Sequence, residues 1–216
     1  ALRRCRPVPE PARSIQLQHK TIDRTKLVGL MGLYFFITYA VLVVTFYMSF
    51  LIDDYRIESS FSGVVISLFF LAIMLPGFFI GRIIARLKQY VNFVSLLSIA
   101  VGLCCIGLFR DRALIVLGAL LAGLGYGAMQ PVIYDKAATI APPRSAMLAL
   151  SFVMAMNYLA VMACPFVVDF LRHLFHAQGD RFPFLLNALL TLILAAAAGL
   201  RRNRFTLGLD ASYYKN

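Results

Sequence analysis

Six long apolar runs, at residues 27–52, 61–81, 91–109, 113–134, 146–170 and 182–200, are separated by short charged connections. At about 1.5 Å of rise per residue, each is long enough to cross a hydrocarbon core of ~30 Å. No water reaches the backbone inside that core, so a spanning segment must be a helix or part of a closed barrel. The runs are unbroken and lack the period-two alternation of barrel strands. The expected fold is therefore all-α and integral to the membrane, with six transmembrane helices in one domain.

Charge orients the expected bundle. Arg3, Arg4, Arg6, Arg13, Lys20, Arg24 and Lys26 precede the first run, and Arg82, Arg86 and Lys88 follow the second. Lys136 and Arg144 follow the fourth run, and Arg201, Arg202, Arg204 and Lys215 follow the sixth, so one side holds sixteen of the 21 basic residues. The bias of basic residues toward the cytoplasm places that side, with both termini, inside. The net charge of +11 is then a topology signal. Its cations are divided among membrane-flanking connections, which argues against a nucleic-acid partner.

Residues 1–26 hold three prolines and no periodic apolar face, and read as a cytoplasmic linker with a short interfacial helix near 14–20. The transmembrane domain is expected over 27–200 and a cytoplasmic tail over 201–216. A 26-residue first run without a small-residue cleavage pattern is no secretory signal. The chain opens on Ala1 and a linker-like stretch, which suggests a piece of something longer. The connections carry no N-x-S/T acceptor and are compact, as suits a bacterial inner membrane.

Cys104, Cys105 and Cys164 lie in apolar runs, where cysteine serves as a small packing residue, and Cys5 lies in the linker. His173 and His176 have a spacing that could meet a metal, but no third ligand lies nearby in sequence, so they read as a solvated pair and neither a metal nor a cofactor is expected. No GxSxG, paired intramembrane aspartates or HExxH supports an intramembrane enzyme.

Polar and helix-disrupting residues are the informative ones inside a membrane. In the fourth run, Gly123, Gly125 and Gly127 precede Gln130, Pro131, Tyr134 and Asp135. Glycines two and four apart let neighbouring backbones approach on more than one face, and Pro131 frees the carbonyl of Gly127. Gln130 and Tyr134 share a face with Tyr126 a turn earlier, and that face must point to a cavity or to a polar contact with another helix. The fifth run repeats the theme with Asn157, Tyr158 and Pro165; the amide needs a partner, and the proline opens the carbonyl of Val161. In the first run Tyr34, Thr38 and Thr45 approximate one face, either lining the same cavity or with the threonines bonded to their own helix. Gln130 and Asn157 are the amides this reading offers to a solute.

Taken together, the termini, six helices, basic linker and charged second connection resemble the carboxyl-terminal half of a major facilitator superfamily transporter. The best local motif is PGFFIGRIIARLK, similar to the family's G-x-x-x-D-R-x-G-R-R, with Gly77, Arg82 and Arg86 in register. Gly81 replaces the acid, and Ile84 and Ala85 replace the second glycine and a basic residue. In the fifth run Ala160, Cys164 and Pro165 resemble the small-xxx-small-Pro part of the antiporter motif, while Val168 and Asp169 depart from its final glycines. The resemblance implies half of a twelve-helix fold built as an inverted three-plus-three repeat, with the other six helices as partner. It implies alternating access, a small-molecule substrate and proton coupling, with gating by Gly77, Arg82, Arg86, Pro131, Asp135 and Pro165. The pathway residues would be Tyr34, Thr38, Tyr126, Gln130, Tyr134, Asn157 and Tyr158. Scarce amides among aromatic and methionine side chains favour export of a lipophilic or amphiphilic solute over a sugar. The proton carrier would be Asp135 drawn inward or a carboxylate of the other half. A scaffold whose six helices only bind partners is the alternative.

Overall fold

The computed structural model describes residues 23–142, 145–177, 179–200 and 206–208. Residues 1–22 of the expected linker, including its interfacial helix near 14–20, and most of the expected tail lie outside these residues, while residues 24–26, expected in the linker, form the first turn of the first helix. Six α-helices are described: α1 (Arg24–Asp54), α2 (Ser60–Leu87), α3 (Val91–Leu108), α4 (Arg112–Ile140), α5 (Ala146–Leu174) and α6 (Phe182–Leu200). Five continuous helical stretches are long and apolar enough to cross a bilayer; the second, Ser60–Leu108, contains both α2 and α3.

Between α2 and α3 the helix breaks at Lys88, whose φ of 50° cannot continue an α-helix, and a 3-10 turn over Lys88–Tyr90 follows. The contacts of α4 give the directions of its neighbours. Gly123 lies against Phe69 and Gly127 against Ile73, so α2 runs parallel to α4. Gly118 lies against Gly102 and Gly125 against Ser95, so α3 runs antiparallel to it. The chain therefore reverses at Lys88–Tyr90.

The close approaches follow from the medium. Lipid tails are as apolar as leucine, so helices associate in a membrane through tight packing and not through hydrophobic exclusion. A Cβ on Gly118 would lie 2.6 Å from the Gly102 carbonyl oxygen, and one on Gly125 2.5 Å from that of Ser95. On the other face, a Cβ on Gly123 would lie 2.6 Å from the Phe69 carbonyl oxygen, and one on Gly127 would collide with that of Ile73. The two-sided approach expected from the glycine spacing is thus present.

Burial separates central from peripheral helices. Buried side chains lie all around α1, whereas α2 buries one stripe, Ser62, Val65, Phe69, Ala72 and Pro76. The buried stripe of α5 is Ala149, Val153, Ala160, Cys164 and Val168, so the small residues of its partial motif do pack inward. The outer faces of α2 and α5 carry exposed Leu71, Met74, Phe78, Met154, Met162 and Phe166.

At the start of α1, the Asp23 side chain caps the helix by accepting from Lys26 N at 3.2 Å. The Lys26 ammonium lies 3.0 Å away, and this pairing holds the Asp23 carboxyl below its usual pKa. At the other end of the bundle, Tyr55 donates to the carbonyls of Ile106 and Gly107, tying the end of α1 to that of α3. Arg181 and Arg110 stand 4.7 and 5.7 Å from its ring centroid, and Arg181 lies 3.7 Å from Asp54. Arg172 bonds Asp180 at 3.0 Å and covers the Tyr47 ring. His173 extends into the open, 3.9 Å from Asp169.

The glycine contacts predict a graded response to substitution. Gly118→Val and Gly127→Val should lower thermal stability in detergent by an amount equivalent to about 1–3 kcal/mol or prevent folding, because backbone cannot yield as a side chain can. Gly77→Ala, where nothing lies within 4 Å of the added atom, should leave the melting curve in place.

Candidate functional site

Three helices converge on one polar cluster. Tyr34 and Thr38 stand four apart on α1, Tyr126, Gln130 and Tyr134 at successive intervals of four on α4, and Asn157 on α5. The Tyr34 and Tyr134 hydroxyls are 2.7 Å apart, and those of Tyr34 and Tyr126 3.4 Å apart. Thr38 Oγ1 lies 3.2 Å from the Tyr126 hydroxyl, which also lies 3.3 Å from Asn157 Oδ1. Gln130 Nε2 donates to the Tyr134 hydroxyl at 3.0 Å. The Tyr34 and Tyr126 rings lie parallel, and Tyr134 meets Tyr34 edge-on at 5.5 Å between centroids.

The cluster is layered in exposure. Tyr34, Thr38 and Tyr126 are buried, while Gln130, Tyr134 and Asn157 are half-buried and form its open front. Six of the seven residues expected to line a pathway are therefore in one network. Tyr158, the seventh, is 74% exposed and makes no hydrogen bond among the described residues. Thr45, on the same expected stripe of α1, does not join either; its hydroxyl is buried without a partner among the described residues.

Counting protons shows what this network can do. A tyrosine hydroxyl donates once, and a carboxamide oxygen only accepts. One self-consistent order runs Gln130 to Tyr134 to Tyr34 to Tyr126 to Asn157, and every hydroxyl proton is used inside. In the other order Tyr126 donates to Tyr34 and Tyr34 to Tyr134. That order leaves the Tyr134 proton and Asn157 Oδ1 available at the open front. The same six side chains can thus be closed on themselves or present one donor and one acceptor to a solute, without moving a heavy atom.

Of the residues expected to gate, Pro131 lies within the cluster's stretch of α4, and the others stand outside the hydrogen-bonded network. Gly77 is exposed on α2; Arg82 and Arg86 are exposed near its end, with Arg82 6.0 Å from the Phe79 ring centroid. Pro131 lies in α4 between Gln130 and Tyr134, and Pro165 is exposed on α5, its carbonyl accepting from Tyr47 at 3.5 Å. Asp135 is exposed and forms no ion pair among the described residues.

Two findings correct the sequence reading. Lys136, counted among loop cations, is 0% exposed, because α4 continues to Ile140 instead of stopping near Tyr134. Gln130 and Asn157 are also not the only amides inside. Asn187 of α6 is fully buried, donating to the Pro183 carbonyl at 2.8 Å and to the Tyr39 hydroxyl at 3.4 Å. Thr191 lies one turn on, and its hydroxyl has no partner among the described residues. The signal was present as an Asn and a Thr four apart in an apolar run, but they face the α1–α6 contact, away from the tyrosines.

The family model described as Major Facilitator Superfamily matches residues 28–211. No curated protein matches the chain significantly.

A double-mutant cycle tests the network apart from function. Thr38→Val and Tyr126→Phe should couple by about 0.6 kcal/mol, the average for such bonds between membrane helices, in thermal or denaturant unfolding. Tyr158→Phe combined with Tyr126→Phe should be additive.

Proposed function

This chain belongs to the major facilitator superfamily, and from that premise we propose that it is one six-span half of a twelve-helix secondary transporter with an inverted three-plus-three repeat. The observation that carries this reading is the convergence of α1, α4 and α5 on a half-open cluster of hydroxyls and amides. Placing six polar side chains among apolar helices has a cost, and a mere packing contact would have no reason to leave three of them open at the front.

Tyr158, exposed on α5, supports a second half that covers it, since a hydroxyl turned to hydrocarbon would lack a partner. The solute is a small lipophilic or amphiphilic molecule, for which the neutral, tyrosine-rich wall is suited: it offers one donor, one acceptor and aromatic surface. Transport is by alternating access, directed outward and coupled to protons, with both termini in the cytoplasm of a bacterial cell. The proton-carrying carboxylate is Asp135, exposed in this half and drawn inward, or one supplied by the other half.

Two measurements test this. The encoding gene should contain about six more apolar runs upstream of Ala1; a start codon directly before it would remove the half-transporter reading. In proteoliposomes holding the full protein, a pH gradient should drive flux of ethidium, used as a lipophilic probe. Gln130→Leu and Asn157→Leu should each lower that flux roughly tenfold, the equivalent of about 1.4 kcal/mol, with unchanged insertion. Unchanged flux in both variants would favour the scaffold alternative.

A further inference from the structure

Running antiparallel to α3, α6 brings the chain back to the end of the bundle where α1 and α3 begin and α4 finishes. There, three successive backbone carbonyls are taken by side chains of two helices. Lys136 Nζ donates to the carbonyl of Gly208 at 2.7 Å and lies 3.4 Å from that of Thr206. Asn92 Nδ2 donates to the carbonyl of Leu207 at 2.9 Å. The Thr206 side chain rests on α1 at Gly29, where a Cβ would lie 3.4 Å from its hydroxyl oxygen. Lys136 and Asn92 are 0% and 1% exposed. Removing an ammonium from water is costly unless its donors are used, and here the segment 206–208 supplies acceptors.

This anchor acts on one part of α4. Before Pro131, glycines at 118, 123, 125 and 127 seat the helix against α2 and α3. Pro131 cannot donate to the carbonyl of Gly127, so the helix is weakest at that point. Beyond it, Val132 packs with Val91 of α3, and Lys136 holds the returning segment. Tyr126 belongs to the first part of α4 and Tyr134 to the second, yet both meet the hydroxyl of Tyr34.

We propose that residues 206–208 are a strap, and that Lys136 and Asn92 are positioning residues that use it to fix the second part of α4 and hence the Tyr134 hydroxyl against Tyr34. The consequence for a solute rests on the transport reading of the tyrosine cluster; the placement of Tyr134 does not.

The experiment is fluorine NMR of the full protein in detergent with 3-fluorotyrosine incorporated. The Tyr134 signal is assigned by Tyr134→Phe, and that of Tyr55, at the opposite end of the bundle, by Tyr55→Phe. Lys136→Met and Asn92→Ala should each shift or broaden the Tyr134 signal and leave that of Tyr55 in place. In the ethidium assay, Lys136→Met should raise KM several-fold with Vmax held. A Tyr134 signal that stays put in both variants, or that moves together with Tyr55 as in a general loosening, overturns the proposal. Should Lys136→Met fail to accumulate, Asn92→Ala, which removes one donor only, gives the same reading. A shifted Tyr134 signal in a protein that carries no ethidium would uphold the strap and count against the transport reading alone.

Discussion

The bundle depends on the backbone contacts of α4. Gly123 and Gly127, four residues apart, admit α2 on one face, and Gly118 and Gly125, seven apart, admit α3 on another. Each approach removes the width of a side chain from the interhelical distance, which is how helices gain packing energy in lipid. With those faces taken, Tyr126, Gln130 and Tyr134 are left toward α1 and α5, where their partners lie. The glycine contacts thus fix which face of α4 is turned toward the partners of its hydroxyls.

Proline completes this arrangement. A continuous α4 would keep Tyr126 and Tyr134 in fixed relation, two turns apart. Pro131 lies between them and removes the hydrogen bond that would make the two turns rigid. Tyr34 then joins two parts of one helix that are anchored to different neighbours, the first to α2 and α3 through glycine and the second to the returning segment through Lys136. A hydroxyl network can tolerate small shifts between those parts because each tyrosine can either donate or accept.

Much of this was legible in the residues, and for identifiable reasons. Apolar length located every described helix, because in a membrane burial is decided by the medium and not by periodicity. Gly123, Gly125 and Gly127 were legible as contact sites, since their spacing places them on two faces, whereas Gly118, against Gly102, was not singled out. Tyr34, Thr38, Gln130, Tyr134 and Asn157 were legible because a polar side chain at depth must find a partner. Less was legible at the helix ends. Lys136 looks like a loop cation from sequence, since hydropathy falls after Tyr134; acceptors for its burial come from the segment 206–208, distant in sequence. Tyr39 and Asn187 pair on the far side of α1, and spacing within one helix cannot say which neighbour a face meets. Tyr158 and Asn157 are adjacent, so 100° of helix separates a network member from an exposed phenol.

The placement of charge bears on how such a bundle can move. The described ion pairs, Asp23 with Lys26, Asp54 with Arg181, Arg172 with Asp180 and Asp169 with His173, all lie at helix ends, and the six clustered side chains in between are neutral. A charge at mid-depth would have to be paired afresh in each orientation of a rocking bundle, with a desolvation penalty whenever it was not. Hydroxyls and amides escape this constraint, because they exchange partners by rotating a proton. On the transport reading proposed above, a neutral centre between charged ends would let the site face either side at similar cost, and would leave any coupling to an ion to a group outside these six residues.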